Sequence, residues 1–274
     1  MTVCNVCFRK CNIEERKTGF CGVRGCEDGK VVPLNYGKVT SLALDPIEKK
    51  PLRRFHPGSL VLSVGSFGCN MRCPFCQNSS ISWSEEAMRL ADRTEYIEPE
   101  KLAATAKHYE RDGNIGLAFT YNEPLVGYEY VRDTAKLVHE AGMKNVMVTN
   151  GMADLSVLEE LAPYIDAMNI DLKGFTDRYY EMIGGNRLMV TTFIEEAVKR
   201  CHVELTTLIV PGENDSEEEM RNLSRWVPED VPLHITRFFP HFHMQGRPAT
   251  PVGKIYKLKE LAEENLEYVY AGNC

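Results

Sequence analysis

Apolar residues are not spread evenly along this chain. From Leu60 onward they gather into short, nearly unbroken runs: Leu60 to Val64, Ile115 to Tyr121, Asn145 to Thr149, Ala167 to Leu172, Val203 to Val210 and Leu233 to Phe238. Runs of this length read as strands, and continuity rather than alternation marks strands buried on both faces. Between them the apolar positions switch to a helical period, which predicts helices over Glu100 to Arg111, Tyr128 to Glu140, Asp154 to Leu161, Phe193 to Lys199 and Ser216 to Trp226. Strand and helix alternating six times imply parallel pairing through right-handed crossovers. A doubly wound sheet and a partial or complete β/α barrel satisfy that pattern equally well.

Ahead of the first run lie shorter β-type stretches, Val31-Val32, Val39-Thr40 and Leu42-Ala43-Leu44, followed by a basic, proline-punctuated stretch from Asp45 to Pro57. A boundary is expected near residue 45. The division is then a cysteine-rich metal-binding segment over 1–45, a barrel-forming region over 46–240, and a C-terminal helix and extension over 241–274. The chain shows no internal repeat and no low-complexity stretch.

Composition changes the picture in two ways. A chain of 274 residues buries most of its apolar surface without disulfides, so its 10 cysteines call for another explanation, and chemistry is the first candidate. Against 39 Asp and Glu stand 32 Lys and Arg, a net charge of -7, the wrong sign for a protein that holds nucleic acid by neutralising phosphates. No apolar run approaches the ~20 residues of a membrane span, and Met1 is followed by polar residues and Cys4 rather than by a leader-like apolar stretch. A cytoplasmic location is expected, with neither nucleic acid nor membrane as partner, and there dense cysteines point to metal or redox chemistry.

Cys69, Cys73 and Cys76 form a C-x3-C-x2-C triplet on the loop after the first predicted strand. Three thiolates so spaced grip three irons of a 4Fe-4S cube, and with no fourth cysteine nearby the last iron is open to a ligand. A zinc site with a remote fourth ligand is the blander alternative. A second group, Cys4, Cys7, Cys11 and Cys21, reads C-x2-C-x3-C-x9-C in a segment too small for a core of its own. Four thiolates close a tetrahedral zinc site or hold a second iron-sulfur cluster, and the tight first triplet favours iron. Such a metal is structural or electron-relaying, since a closed site offers no open position. Cys26 is a spare ligand, while Cys201 and Cys274 are isolated. The ends of the later runs carry Asn122-Glu123-Pro124, Asn150-Gly151, Asp171 with Lys173, Pro211-Gly212 and Phe239-Pro240-His241. Parallel α/β folds assemble their sites at such strand ends. Among the strand residues, His234 or Arg237 is expected to meet substrate, and a lone interior histidine such as His202 is more often a satisfied core group.

The cysteine triplet is the signature of the radical S-adenosylmethionine (SAM) superfamily, which the chain resembles from about Leu60 to Pro240. That resemblance implies a partial (β/α)6 TIM-like barrel and reductive cleavage of SAM at the cluster to give a 5′-deoxyadenosyl radical. Val146-Met147-Val148-Thr149-Asn150-Gly151 and Asn169-Ile170-Asp171-Leu172-Lys173 are similar to the pyruvate formate-lyase-activating branch. Asp45 to Pro51, Tyr121 to Pro124, His202 to Thr207 and Pro232 to Pro240 resemble the radical SAM enzyme of the AmmeMemoRadiSam system. Members of that group usually carry asparagine where this chain has Cys26, and many continue past the position of Asn273 into a cysteine-bearing tail.

The resemblance implies roles for several residues. Glu123 takes the SAM amino group, with Asn122 in the place of a glycine. Lys173 serves SAM, and Asp171 a monovalent cation. Thr149, Asn150, Thr206 and Leu208 line the SAM pocket, and His241, with His243 beside it, falls where activating enzymes place a SAM-contacting histidine. The expected function is hydrogen-atom abstraction from an unidentified substrate, a protein residue among the candidates, under anaerobic conditions. An electron donor of flavodoxin or ferredoxin type is implied, with Memo-type and AMMECR-type proteins as candidate partners. The alternatives are a glycyl-radical-enzyme activator proper and, from another class, a non-catalytic zinc-binding interaction module. The last accounts for the first cysteines only.

Overall fold

A computed structural model describes residues 1–90 and 93–274 of the chain. Its main sheet has eight strands, which we number β1 (Ser41–Pro46), β2 (Leu60–Gly65), β3 (Asn114–Phe119), β4 (Lys144–Thr149), β5 (Ala167–Asp171), β6 (His202–Ile209), β7 (Leu233–Arg237) and β8 (Val269–Gly272). Neighbours in the sheet are neighbours in sequence from one edge to the other. β2 to β8 run parallel and β1 pairs antiparallel with β2, from Ser41 opposite Gly65 to Pro46 opposite Leu60. The arc is open, because β1 and β8 are both edges. This is a partial TIM-like barrel whose six central strands are the six continuous apolar runs.

Two of the eight strands go beyond that expectation. β1 precedes the predicted barrel region, and β8 lies in the C-terminal extension, after the helix Val252–Ala262. The crossover helices are Pro99–His108, Tyr128–Glu140, Leu155–Leu161, Arg187–Ala197 and Glu217–Trp226. Their starts are chemically marked. Asp154, Asn186 and Ser216 each accept a hydrogen bond from a first-turn amide, and Pro99 occupies the first turn of its helix, where a missing N–H costs nothing. The fourth helix begins six residues earlier than its apolar period suggests, at the Asn186 cap.

The turn between β1 and β2 closes one end of the barrel. Ile47 and Leu52 are fully buried against Val61, Ala118, Val146 and Ala167. Strand side chains fasten the same turn: Asn169 donates to the Pro51 carbonyl (2.9 Å), and the Arg53 and Arg54 amides donate to Glu204 (3.0 and 2.7 Å). Arg54 reaches further, its guanidinium lying 3.6 Å over the Tyr268 ring just before β8. The two sheet edges are thus bridged at that end.

Residues 1–40 form no helix, only short antiparallel pairs: Thr2–Val3 with Asn12–Ile13, Arg24–Glu27 with Lys30–Pro33, and Lys38–Val39 with Glu95–Tyr96. Their apolar side chains join the barrel's core: Val6, Ile13 and Val39 are buried within the same cluster as the β2 and β3 side chains. Polar bonds fix the docking. Arg24 forms a buried pair with Glu129 (2.7 Å), Tyr36 donates to Asp133 (2.8 Å), and the Asp154 amide donates to the Val6 carbonyl (2.8 Å). Among the described residues no helix is long and apolar enough to cross a membrane.

Candidate functional site

The loop after β2 places the cysteine triplet. Gly68 sits at φ +96°, and a Cβ there would come within 2.5 Å of Val23, so both conformation and space require glycine next to Cys69. The Gly68 carbonyl accepts from the Glu123 amide (3.2 Å), and Asn122 donates to the Phe67 and Gly68 carbonyls while accepting from the Ser66 amide (3.0 Å). Asn122 therefore braces the loop. Cys69, Cys73 and Cys76 are free thiols, and all three line a cavity of about 560 Å³ at the C-terminal ends of the strands.

Glu123, Asn150, Asp171, Lys173, Thr206 and Leu208 line the same cavity, as does Asn122. Glu123 is buried, with three donors on its carboxylate: the Thr149 hydroxyl (2.6 Å) and Leu125 amide (3.0 Å) on Oε1, and the Asn150 amide (2.8 Å) on Oε2. No Lys, Arg or His pairs with it among the described residues. Burial pushes its carboxyl up to about 7, outweighing these donors. A buried carboxylate that faces a cavity without a counter-ion suits a cationic group of a ligand. Lys173 pairs with Asp171 at 2.8 Å. Burial alone would lower Lys173, but Asp171 and the Cys73 sulfur outweigh it and hold the ammonium above its ordinary value. Asp171 is therefore engaged by Lys173.

Two expected contributors are not in the cavity lining. Thr149 acts one step back, as the donor that positions Glu123. His241 is exposed and does not line the cavity. The amide of His243 bonds the Pro74 carbonyl (2.9 Å), so that loop reaches the triplet through backbone instead. Of the two substrate candidates, His234 lines the cavity and Arg237 does not. Arg237 donates from Nε to the Thr250 carbonyl (2.7 Å) and lies over Phe239. Its place late in β7 directs it to the helix side, which strand position alone could not reveal.

Sequence reasoning missed Asn70 and Glu204, both fully buried. Asn70 donates to the Met152 carbonyl (2.9 Å) and accepts from Asn150 (2.9 Å), locking the triplet loop to the end of β4. A polar residue between two ligand cysteines was its only signal. Glu204 interrupts an apolar run with a charge, and that was a usable one.

The second cysteine group lies against the back of the triplet loop. The Cys69 amide donates to the Cys21 carbonyl (3.3 Å), and Arg9 donates to the carbonyls of Asn70 (2.8 Å) and Gly184 (2.6 Å). Arg9 and Arg72 both stack on Phe20, 3.3 and 4.0 Å from its ring centroid. Cys4, Cys7 and Cys21 are buried, Cys11 is half-buried, and none lines the cavity. Burial raises the Cys7 thiol to about 11, with Cys21 and Cys4 adding to it. Cys26 is turned elsewhere, its sulfur 3.5 Å from a Glu15 oxygen and 3.6 Å from the Thr2 hydroxyl. Among the described residues no three His, Cys, Asp or Glu side chains sit close enough to hold one metal ion. Ligands to three different irons of a cube do not have to meet at one point.

Comparison with known proteins agrees with this architecture. The family model described as the Radical SAM superfamily matches residues 63–224. An uncharacterized protein of Methanocaldococcus jannaschii is 40% identical over 278 residues, covering 98% of this chain and 80% of that protein. The pyruvate formate-lyase 1-activating enzyme of Escherichia coli K12 is 23% identical over 209 residues, 74% of this chain and 83% of that enzyme. Among solved structures, SuiB of Streptococcus suis bound to S-adenosylmethionine superposes with a TM-score of 0.59 at 13% identity, over 78% of this chain and about half (52%) of that one.

Proposed function

The chain belongs to the radical SAM superfamily, in the branch of the pyruvate formate-lyase-activating enzymes, and on that premise we propose that its cavity cleaves SAM reductively and abstracts a hydrogen atom from a bound substrate. The observation that carries the reading is the meeting, in one cavity, of three free cysteines with a buried carboxylate that lacks a counter-ion. A 4Fe-4S cluster and SAM, when bound, supply the electron and the hydrogen-abstracting radical.

The residues present fit both groups. Cys69, Cys73 and Cys76 offer three thiolates and no fourth, leaving one iron for SAM. Glu123 takes the SAM amino group, held in place by Thr149 and the Asn150 amide. Lys173, kept charged by Asp171, receives the SAM carboxylate. Thr206 and Leu208 form the wall beside them. With its hydroxyl donated to Asn169 (2.9 Å), Thr206 presents its methyl and an oxygen lone pair rather than a competing donor. Asp171 is the residue to which a monovalent cation would bind.

The N-terminal group Cys4, Cys7, Cys11 and Cys21 would hold a second iron-sulfur cluster, walled off from the cavity and suited to structure or electron relay; a single zinc ion would require these thiols to close on one point. An electron donor of flavodoxin or ferredoxin type feeds the site. A second reading, activation of a glycyl-radical enzyme, is favoured by the likeness to the activating enzymes of pyruvate formate-lyase and of 4-hydroxyphenylacetate decarboxylase from Clostridium scatologenes.

The decisive experiment is anaerobic reconstitution, reduction, and measurement of 5′-deoxyadenosine from SAM. Wild type should form it and a Cys73→Ala variant should not. Formation by a triple Cys69, Cys73 and Cys76→Ala variant would overturn the reading. A glycyl-radical signal on a co-incubated candidate enzyme would select the second one.

A further inference from the structure

At the end of the cavity remote from Glu123, a carboxylate ties two otherwise unconnected groups together. Glu204 has no exposed surface, and all four of its acceptor positions are used. Oε1 accepts from His202 Nε2 (3.0 Å) and the Arg54 amide (2.7 Å). Oε2 accepts from His234 Nε2 (2.6 Å) and the Arg53 amide (3.0 Å). Burial alone would raise the Glu204 carboxyl, but these donors outweigh it and hold it down to about 2. A carboxylate can only accept, so His234 carries a hydrogen on Nε2, and in the neutral imidazole Nδ1 is then a free acceptor.

His234 is itself buried at 5% exposure, yet it lines the cavity, and its Nδ1 has no protein partner among the described residues. Arg53 also lines the cavity, and its guanidinium has neither an ion pair nor a hydrogen bond among the described residues. The other two charged side chains on this rim, Glu48 and Lys49, have hydrogen-bonding partners. Glu48 accepts from the Gly58 amide (2.7 Å), and Lys49 pairs with Asp45 (3.0 Å). One cation, on a residue whose backbone amide shares Oε2 of Glu204 with His234, and one acceptor are left facing the space.

We propose that this end of the cavity binds the substrate through an anionic group taken by Arg53 and an adjacent N–H or O–H donor taken by His234 Nδ1. The substrate class is an anion with a neighbouring donor, chemistry shared by a phosphate monoester and an amido carboxylate. Glu204 is a positioning residue: it holds the His234 ring and the backbone at Arg53, from which the guanidinium reaches the same space. The word substrate rests on the function proposed above, whereas the binding itself does not.

The test is chemical footprinting of the full-length, cluster-reconstituted protein, read by peptide mass spectrometry and independent of SAM cleavage. Arg53 is labelled with phenylglyoxal and His234 with diethyl pyrocarbonate, in the presence of inorganic phosphate or N-acetylglycine. Either probe should protect both residues with a common half-saturating concentration, and the effective probe distinguishes a phosphoryl from a carboxylate anion. Arg53→Gln, an exposed change that spares the fold, should raise the concentration needed to protect His234 at least about tenfold. Failure of both probes, equal protection by chloride at matched ionic strength, or protection of His234 unaffected by Arg53→Gln would overturn the proposal. If deoxyadenosine never forms while protection is seen, the reaction is wrong and the site stands.

Discussion

Two groups of cysteines, alike in residue type and close in spacing, sit back to back in this molecule with different surroundings. Cys69, Cys73 and Cys76 look into a cavity shared with Glu123 and Lys173. Cys4, Cys7, Cys11 and Cys21 look into protein. Burial raises the thiols in both places, Cys7 and Cys73 each to about 11, so thiol acidity does not separate them. The difference is the company they keep: an uncompensated carboxylate and a paired ammonium on one side, arginines committed to backbone carbonyls on the other. A metal's task is set less by its ligands than by what else reaches it.

The largest expected effect would break that contrast at its source. Any one of Cys69, Cys73 or Cys76 changed to Ala should abolish SAM cleavage, read as 5′-deoxyadenosine by chromatography. Next is Glu123→Gln, which removes a charged partner from a dry site. SAM affinity should drop some tens- to hundredfold, about 2 to 3 kcal/mol, by equilibrium dialysis with intact cluster absorbance. The same residue gives the contrast a pH dependence. With its carboxyl pushed up to about 7, Glu123 is protonated below that and cannot hold a cation, so SAM binding should weaken as pH falls from 8 to 6. In Glu123→Gln that slope should vanish.

Smaller effects test the seam between the regions. Arg9→Ala breaks bonds to the Asn70 and Gly184 carbonyls and should cost about 1 to 3 kcal/mol in denaturant unfolding. The smallest change in catalysis is expected from Cys11→Ser. Under strong chemical reductant its deoxyadenosine formation should stay within about threefold of wild type, while iron falls from about eight to about four per chain. About four irons plus one zinc in the wild type would replace the second cluster with zinc.

The barrel's six inner strands were legible because burial on both faces makes a strand a continuous apolar run. The edge strands were not, for the same reason inverted. β1 carries an exposed Leu42 and a buried Asp45, and β8 is four residues ending in glycine. At the site, residues just past strand ends were readable from position alone, which is why Glu123, Asn150, Asp171 and Lys173 converge as expected. His241 and Arg237 defeated that logic. His241 lies beyond a turn whose path the sequence does not fix, and Arg237 depends on which way a single strand position faces. Glu204 left a signal, a charge inside an apolar run, but its meeting with Arg53 was invisible because it requires a turn from the start of the barrel to reach β6.

The strand order has a consequence for how the molecule is made. Since every main-sheet strand lies beside its neighbour in sequence, each new unit docks on one already in place. Assembly can then follow the ribosome, from β1 toward β8. Contacts that reach back to the first turn of the barrel are exceptions, and the longest of them joins Arg54 to Tyr268, just before the last strand. That clasp forms only after Tyr268 has emerged, so a chain stopped short of it lacks the part of the cavity that Ala271, Gly272 and Asn273 line.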